Sequence, residues 1–248
     1  MKDRVLGVIP ARIGSTRLKR KMLADIGGKP LVWHTWKQAL KARAVDHVVI
    51  ATDSEEIRTA LLPYGADVIM TSKNAKTGSD RVAEAAQRFK KFKPTIVLNI
   101  QGDEPLIPPK AIDMTVALLK KNKRAVMSTV AAPIREAHEL NDPNIVKVAL
   151  KKNGQALYFS RSCIPFKREK TGTPIYKHFG IYGYRANFLS KYAAMKRTPH
   201  ELTENLEQLR ALENGHDIEV GIGNFEHVEV NTREELETAR RLLTARKR

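Results

Sequence analysis

The chain has 248 residues, with 44 Lys and Arg against 27 Asp and Glu and a formal net charge of +17. Its 42% hydrophobic and 29% charged residues fit a globular protein, and at this length folding buries about 73% of the unfolded surface, so a full core forms without disulfides or structural metal. The single cysteine, Cys163, excludes an internal disulfide framework and any multi-cysteine zinc or iron–sulfur site.

No apolar run approaches the ~18 residues of a membrane span. The first apolar run, 5–9, is too short for a signal-peptide core, so a cytoplasmic location is expected. The positive charge raises the question of nucleic acid. The basic residues, however, fall in separated clumps at 17–21, 90–93, 120–124, 151–152, 167–170 and 240–248, with no stacking aromatics between them. Nucleic acid is therefore disfavoured as a partner, and most of these side chains are expected on solvated faces. The clump from Arg12 to Lys21 differs, because it directly follows a buried strand.

Residues 5–9 read as a strand buried on both faces. Pro30 opens a helix in which Leu31, Trp33, Trp36, Ala39 and Leu40 recur at helical spacing. Residues 48–51 form the next strand, and Asp53 with Glu56 makes a capping-box pair for the following helix. A short strand at 66–70, a helix at 79–92, a strand at 95–100 and a helix at 108–121 continue the alternation. This pattern predicts βαβ units and a parallel sheet. It then changes: 125–134 and 145–150 read as strands with no helix between them. Asn153-Gly154 predicts a hairpin turn into a strand at 155–160. A strand at 178–184 follows. Thr198, Pro199 and Glu201 open a helix that runs to Gly215. Strands at 218–222 and 227–230 precede a terminal helix capped by Thr232 and Glu235. The expectation is one α/β domain over 1–248. It has a mostly parallel central sheet flanked by helices and an antiparallel excursion at about 125–185.

Ligands of open α/β sheets bind beyond the carboxyl ends of the strands, and three segments there carry chemistry. In the first, Gly14, Ser15 and Thr16 let backbone N–H groups approach an anion, while Arg12, Arg17 and Lys21 neutralise a triphosphate. It is not a Walker loop, and the chain has no Gly-x-Gly-x-x-Gly fingerprint. The second segment, Gln101-Gly102-Asp103-Glu104-Pro105, offers a carboxylate for Mg²⁺ on a nucleotide; an Asx turn or helix cap at Asp103 is the other reading. In the third, Asn231 either caps a turn or lends a carbonyl oxygen to a metal. His-Glu-x-x-His and Gly-x-Ser-x-Gly are both absent, and Cys163 reads as packing.

These segments occur together with Thr77-Gly-Ser-Asp-Arg81, Ala156-Leu-Tyr-Phe-Ser-Arg161, Gly180-Ile-Tyr-Gly-Tyr-Arg185 and Leu206-Glu-Gln-Leu-Arg210. In this order, and over nearly the whole chain, they resemble the CMP-Kdo synthetases (3-deoxy-manno-octulosonate cytidylyltransferases). The resemblance implies a nucleotide-diphospho-sugar transferase-like fold and a homodimer. It also implies Mg²⁺-dependent transfer of CMP from CTP to the sugar acid Kdo, with release of pyrophosphate, for lipopolysaccharide synthesis. It assigns Ala11, Arg12, Ser15, Lys21 and Gly102 to the nucleotide and its phosphates, Ser79 and Arg81 to the neighbourhood of the cytosine, and Gln101, also nucleotide-binding, and Asp103 to the reacting centre. By the same resemblance Lys21, Asp103 and Arg12 would be the catalytic set and Asp103 and Asn231 the metal ligands, and Arg161, His178, Tyr182, Glu207 and Gln208 would line the sugar pocket.

Two departures stand out. The family's Leu-Pro-Gly-Lys-Pro is here Leu18-Lys19-Arg20-Lys21-Met22, and its Val-Asp-Thr-Pro-Glu is Val230-Asn231-Thr232-Arg233-Glu234. Asparagine is a metal ligand in some related sugar nucleotidyltransferases, and one negative charge fewer weakens Mg²⁺ binding. Two other functions stay open. One is transfer to a related acid, an amino-Kdo or a nonulosonate. The other is a basic nucleic-acid-binding protein on an inactive transferase scaffold.

Overall fold

A computed structural model describes residues 3–245 except 16, 76, 170 and 227. Thr16 of the first loop, Lys170, His227 and the basic end 246–248 therefore lie outside the described residues. The chain packs into two compact units, Met1–Asp113 with Glu226–Arg248, and Met114–Phe225. Among the described residues no helix is long and apolar enough to cross a membrane.

The first unit begins with β1 (Val5–Ala11), buried at every position. A two-stranded antiparallel ribbon, β2 (Asp25–Ile26) and β3 (Lys29–Pro30), turns through Gly27 and Gly28, which hold φ of 59° and 80°. Then come α1 (Leu31–Ala39), β4 (His47–Thr52), α2 (Glu55–Leu61), β5 (Asp67–Met70), α3 (Gly78–Arg88), β6 (Ile96–Asn99) and α4 (Pro109–Lys121), within which the first unit ends. β6, β1, β4 and β5 pair in parallel in that order, with Val8 opposite both Asn99 and Val49. Leu6, Val8, Ile9, Val49, Ile50, Val97 and Leu98 are all at 0% exposure. Burial on both faces explains why these strands read as continuous apolar runs.

The second unit holds β7 (Met127–Pro133), β8 (Lys147–Leu150), β9 (Ala156–Ser160), β10 (Tyr176–Arg185), α5 (Ala186–Ala194), α6 (Pro199–Glu204), α7 (Leu209–Glu213) and β11 (Ile218–Ile222). β7 pairs parallel to β11 and antiparallel to β10; β8 pairs antiparallel to β10 and β9. The β8–β9 turn uses Gly154 at φ 88°, and Asn153 Oδ1 accepts from the Gln155 amide at 3.1 Å. The chain then returns to the first unit as α8 (Arg233–Ala245). Thr232 and Glu235 cap α8 reciprocally, at 2.8 and 3.2 Å. The architecture is thus α/β, with a mostly parallel sheet, flanking helices and an antiparallel excursion.

Several local expectations are corrected. Ser54, not Asp53, caps α2, accepting from the Ile57 amide at 3.3 Å. Asp53 is instead engaged by Arg81 at 3.1 Å. The helix expected to reach 92 stops at Arg88. Phe89 leaves helical geometry, its ring 5.8 Å from that of His47, and Pro94 disfavours helical backbone at Lys93. The helix expected over 199–215 is two, α6 and α7, because Asn205 takes a left-handed conformation at φ 52°. Residues 228–230 form no strand. The β2–β3 ribbon and α5 had no counterpart in the sequence reading.

Candidate functional site

The first unit gathers its polar side chains beyond the carboxyl ends of β1 and β6. β1 ends at buried Ala11, and the chain leaves through exposed Arg12 and half-buried Ser15. It returns in a short 3₁₀ turn, Lys21–Leu23. Arg20, just before the turn, has φ 56° and ψ 31°, and its side chain pairs with Glu56 on α2. Lys21 is only 8% exposed. Its Nζ donates to Asp103 Oδ2 at 2.5 Å and to Asn231 Oδ1 at 2.9 Å. Arg17 donates to the same Asn231 oxygen at 2.9 Å.

Main-chain packing places Asp103. A Cβ on Gly102 would meet the Pro10 carbonyl oxygen at 2.9 Å, closer than real Cβ atoms come, so only glycine lets this loop lie against β1. Thr35 Oγ1 holds the Gly102 carbonyl at 2.9 Å, and Gln101 Nε2 donates to Asn99 Oδ1 at 3.4 Å. Asn231 is set by its own bonds: its amide donates to Glu235 Oε2 at 2.6 Å and its Nδ2 to Glu229 Oε1 at 2.5 Å. Burial pushes the Asp103 carboxyl above its ordinary range. The Lys21 ammonium opposes the shift, and the Glu229 charge adds to it.

Two oxygens already gathered on one ammonium are a hard-cation donor set, which fits Mg²⁺ better than a softer metal. Among the described residues no three His, Cys, Asp or Glu side chains gather as a metal site. An ion held here by Asp103 and Asn231 would therefore take its other ligands largely from water and phosphate oxygens.

Ser79 and Arg81 sit in the first turn of α3, at 1% and 5% exposure. The Arg81 guanidinium is committed to Asp53 and to Thr71 Oγ1, and so clamps the ends of β4 and β5. The structure thus joins Lys21, Asp103 and Asn231 directly, whereas Arg81 has a structural tie of its own.

The second unit carries the other expected residues. His178 and Tyr182, both on β10, have ring centroids 5.3 Å apart, and the His178 ring lies 5.0 Å from Phe159 of β9. His178 Nε2 shares a 2.9 Å hydrogen bond with Thr129 Oγ1. Arg161 follows β9, its Nε donating to the Glu204 carbonyl and an Nη to the Pro143 carbonyl, both at 2.7 Å. The Glu207 carbonyl accepts from the Tyr192 hydroxyl at 2.5 Å. Gln208 is 2% exposed, and among the described residues its Nε2 meets no acceptor. A buried amide left so is costly unless a ligand completes it.

The sequence reading missed Glu229 and the Arg20–Glu56 pair. Neither has a local signature, because each depends on which distant residue the fold brings near.

A family model described as Cytidylyltransferase matches residues 6–218. A relative from Polynucleobacter necessarius subsp. necessarius (strain STIR1), named 3-deoxy-manno-octulosonate cytidylyltransferase, is 49% identical over 242 residues, covering 96% of this chain and 95% of its own. One of the same name from Chlorobium limicola (strain DSM 245 / NBRC 103803 / 6330) is 46% identical over 239 residues, covering 95% of this chain and 96% of its own. A solved structure described as CMP:2-keto-3-deoxy-manno-octonic acid synthetase complexed with CTP superposes with a TM-score of 0.92 at 35% identity, covering 98% of this chain and 100% of that one.

Proposed function

Since the chain belongs to the cytidylyltransferase family, and within it to the 3-deoxy-manno-octulosonate cytidylyltransferases, we propose that it transfers CMP from CTP to 3-deoxy-D-manno-octulosonate and releases pyrophosphate. The product is the activated sugar acid that lipopolysaccharide synthesis consumes. The observation that carries this reading is the buried Lys21 ammonium shared by Asp103 and Asn231, with Arg17 on the same Asn231 oxygen. A cation-binding pair of oxygens among basic side chains suits a metal-bound triphosphate.

In this reading the anomeric hydroxyl of the sugar acid attacks the α-phosphorus of CTP, its oxygen bonding to phosphorus while its proton passes to water. The bond to the β-phosphate oxygen breaks, and its electron pair leaves with pyrophosphate. Asp103 and Asn231 would hold Mg²⁺, which when bound supplies charge neutralisation at the phosphates. Lys21, Arg12 and Arg17 offset the negative charge of the triphosphate, an electrostatic contribution that needs no proton transfer. The Ala11 and Ser15 region, Gln101 and Gly102 line the nucleotide's side. Ser79 and Arg81 are assigned to the cytosine, Arg81 acting through the strand ends it clamps.

Recognition of the sugar acid is assigned to the second unit. Arg161 offers a cation for the carboxylate, His178 and Tyr182 offer ring edges and polar tips, Glu207 an acceptor, and Gln208 a buried donor that meets no acceptor among the described residues. A homodimer in the cytoplasm completes the proposal; Phe166, 86% exposed, and Leu157, 56% exposed, supply apolar surface for a second copy.

The test is pyrophosphate release from each of the four NTPs against a panel of sugar acids at fixed Mg²⁺. Turnover with CTP and Kdo is expected. A preference for an amino-Kdo or a nonulosonate would move the substrate within the same chemistry, and no release with any acid would overturn the proposal. Sedimentation of the purified protein tests the dimer.

A further inference from the structure

Arg20 stands where the backbone makes a turn that disfavours a side chain. Its φ of 56° and ψ of 31° are left-handed, a region glycine enters freely and other residues enter at a cost. Asn205 is the other non-glycine residue at positive φ among the described residues, and asparagine tolerates that conformation far better than arginine. The turn is well made nonetheless. The Leu23 amide donates to the Arg20 carbonyl at 2.9 Å, the Ala24 amide to the Lys21 carbonyl at 3.0 Å, and the Lys21 amide to the Leu18 carbonyl at 3.2 Å. Lys21, immediately after Arg20, is thereby turned inward to Asp103 and Asn231.

Something must offset the cost at Arg20, and its side chain shows what does. The guanidinium pairs with Glu56 in the first turn of α2, and the Lys21–Leu23 turn packs against that helix. The pair is exposed, with side chains at 65% and 46%, so it adds little to global stability. It acts on one backbone conformation, whose cost is of the same order as the pair itself.

We propose that the Arg20–Glu56 ion pair is a positioning device. It fixes the left-handed turn that aims Lys21 into the cation site, and so tunes nucleotide affinity without touching the nucleotide. This rests on the reading of the site as a nucleotide site. Arg20 and Glu56 are positioning residues in this scheme, and the reacting atoms are left to Lys21 and its partners.

Glycine separates conformation from charge. Arg20→Ala and Arg20→Gly both remove the guanidinium and the ion pair, but only the glycine enters the left-handed region freely. Arg20→Ala, and Glu56→Ala in the wild-type background, should raise the KM for CTP about two- to fivefold with little change in kcat, the range an exposed ion pair supports. Arg20→Gly should keep the wild-type KM, and Glu56→Ala should add nothing in the Arg20→Gly background. Hydrogen exchange across residues 18–24, followed without nucleotide, should quicken in Arg20→Ala and Glu56→Ala but not in Arg20→Gly. If Arg20→Gly weakens CTP as much as Arg20→Ala, or if Glu56→Ala leaves both KM and exchange unchanged, the positioning role is wrong. A wild-type protein that does not turn over CTP overturns the nucleotide reading instead, and the exchange measurements still decide on the ion pair.

Discussion

The Val230 amide donates to the Asp103 carbonyl at 2.9 Å. This main-chain bond sets the segment before α8 in register with the loop after β6, and so brings the Asn231 and Asp103 side chains onto one ammonium. Because the tie lies in the backbone, isosteric side-chain substitutions here leave this register in place.

Asp103→Asn should therefore fold normally, with a melting temperature near that of the wild type. Loss of the carboxylate should lower turnover at least ~100-fold, the scale of removing one contact that stabilises developing charge. Pyrophosphate release at saturating Mg²⁺ measures it, and a kcat near the wild-type value would take Asp103 out of the site.

Lys21→Ala should raise the KM for CTP and lower kcat, reducing kcat/KM about 100-fold. Lys19 is exposed on the same loop, and Lys19→Ala should change kcat/KM by no more than about twofold, as ordinary surface substitutions do. Equal losses in the two variants would mean a diffuse basic patch.

Asn231→Asp has two effects of opposite sign. The present amide donates to Glu229 at 2.5 Å; an aspartate cannot, and places like charges together when no ion is bound. With Mg²⁺ bound, the added charge favours the ion. The variant should melt lower than the wild type without Mg²⁺, gain more on its addition, and reach half-maximal rate at a lower Mg²⁺ concentration. Superimposable magnesium titrations would defeat the ligand assignment.

In the second unit, Arg210 donates to both oxygens of Glu201, at 2.8 and 2.5 Å, and the two side chains are 2% and 0% exposed. Burial pushes the Glu201 carboxyl up, but hydrogen bonds from Arg210 and its charge outweigh it, leaving the group below its ordinary 4.5. The pair's stabilisation is therefore complete above about pH 4.5 and is lost as pH falls through the lowered folded value. Glu201→Gln should cost about 3–5 kcal/mol at neutral pH by stranding a buried guanidinium, and should flatten the acid limb of the stability curve. Denaturant melts from pH 3 to 7 test both; a parallel shift at every pH would contradict the linkage.

The parallel strands were legible because burial on both faces writes itself as unbroken apolar runs, as in 5–9. The Thr232–Glu235 cap was legible because it is local. Ser54 was misread because Asp53, an equally good cap by type, is taken by Arg81 from another helix. The break at Asn205 was missed because helical spacing continues through it, and only the left-handed backbone reveals the turn. At the site, Lys21 and Asp103 were found from their loops. Gly102 was assigned to the nucleotide by resemblance alone, and the structure adds a steric need that comes from Pro10 of β1. Glu229 was invisible, since its meaning is its approach to Asn231.

The first unit is built from two stretches of chain, with all of Met114–Phe225 synthesised between them. Lys21 and Asp103 leave the ribosome early, whereas Asn231 and the Val230 amide that registers Asp103 arrive near the end. Domains tend to condense as they emerge, but Lys21 and Asp103 of this one cannot meet Asn231 until the segment before α8 is made. A stalled nascent chain that displays the whole second unit would still lack the Asn231 contact to Lys21, so the order of synthesis makes this cluster one of the last features of the first unit to form.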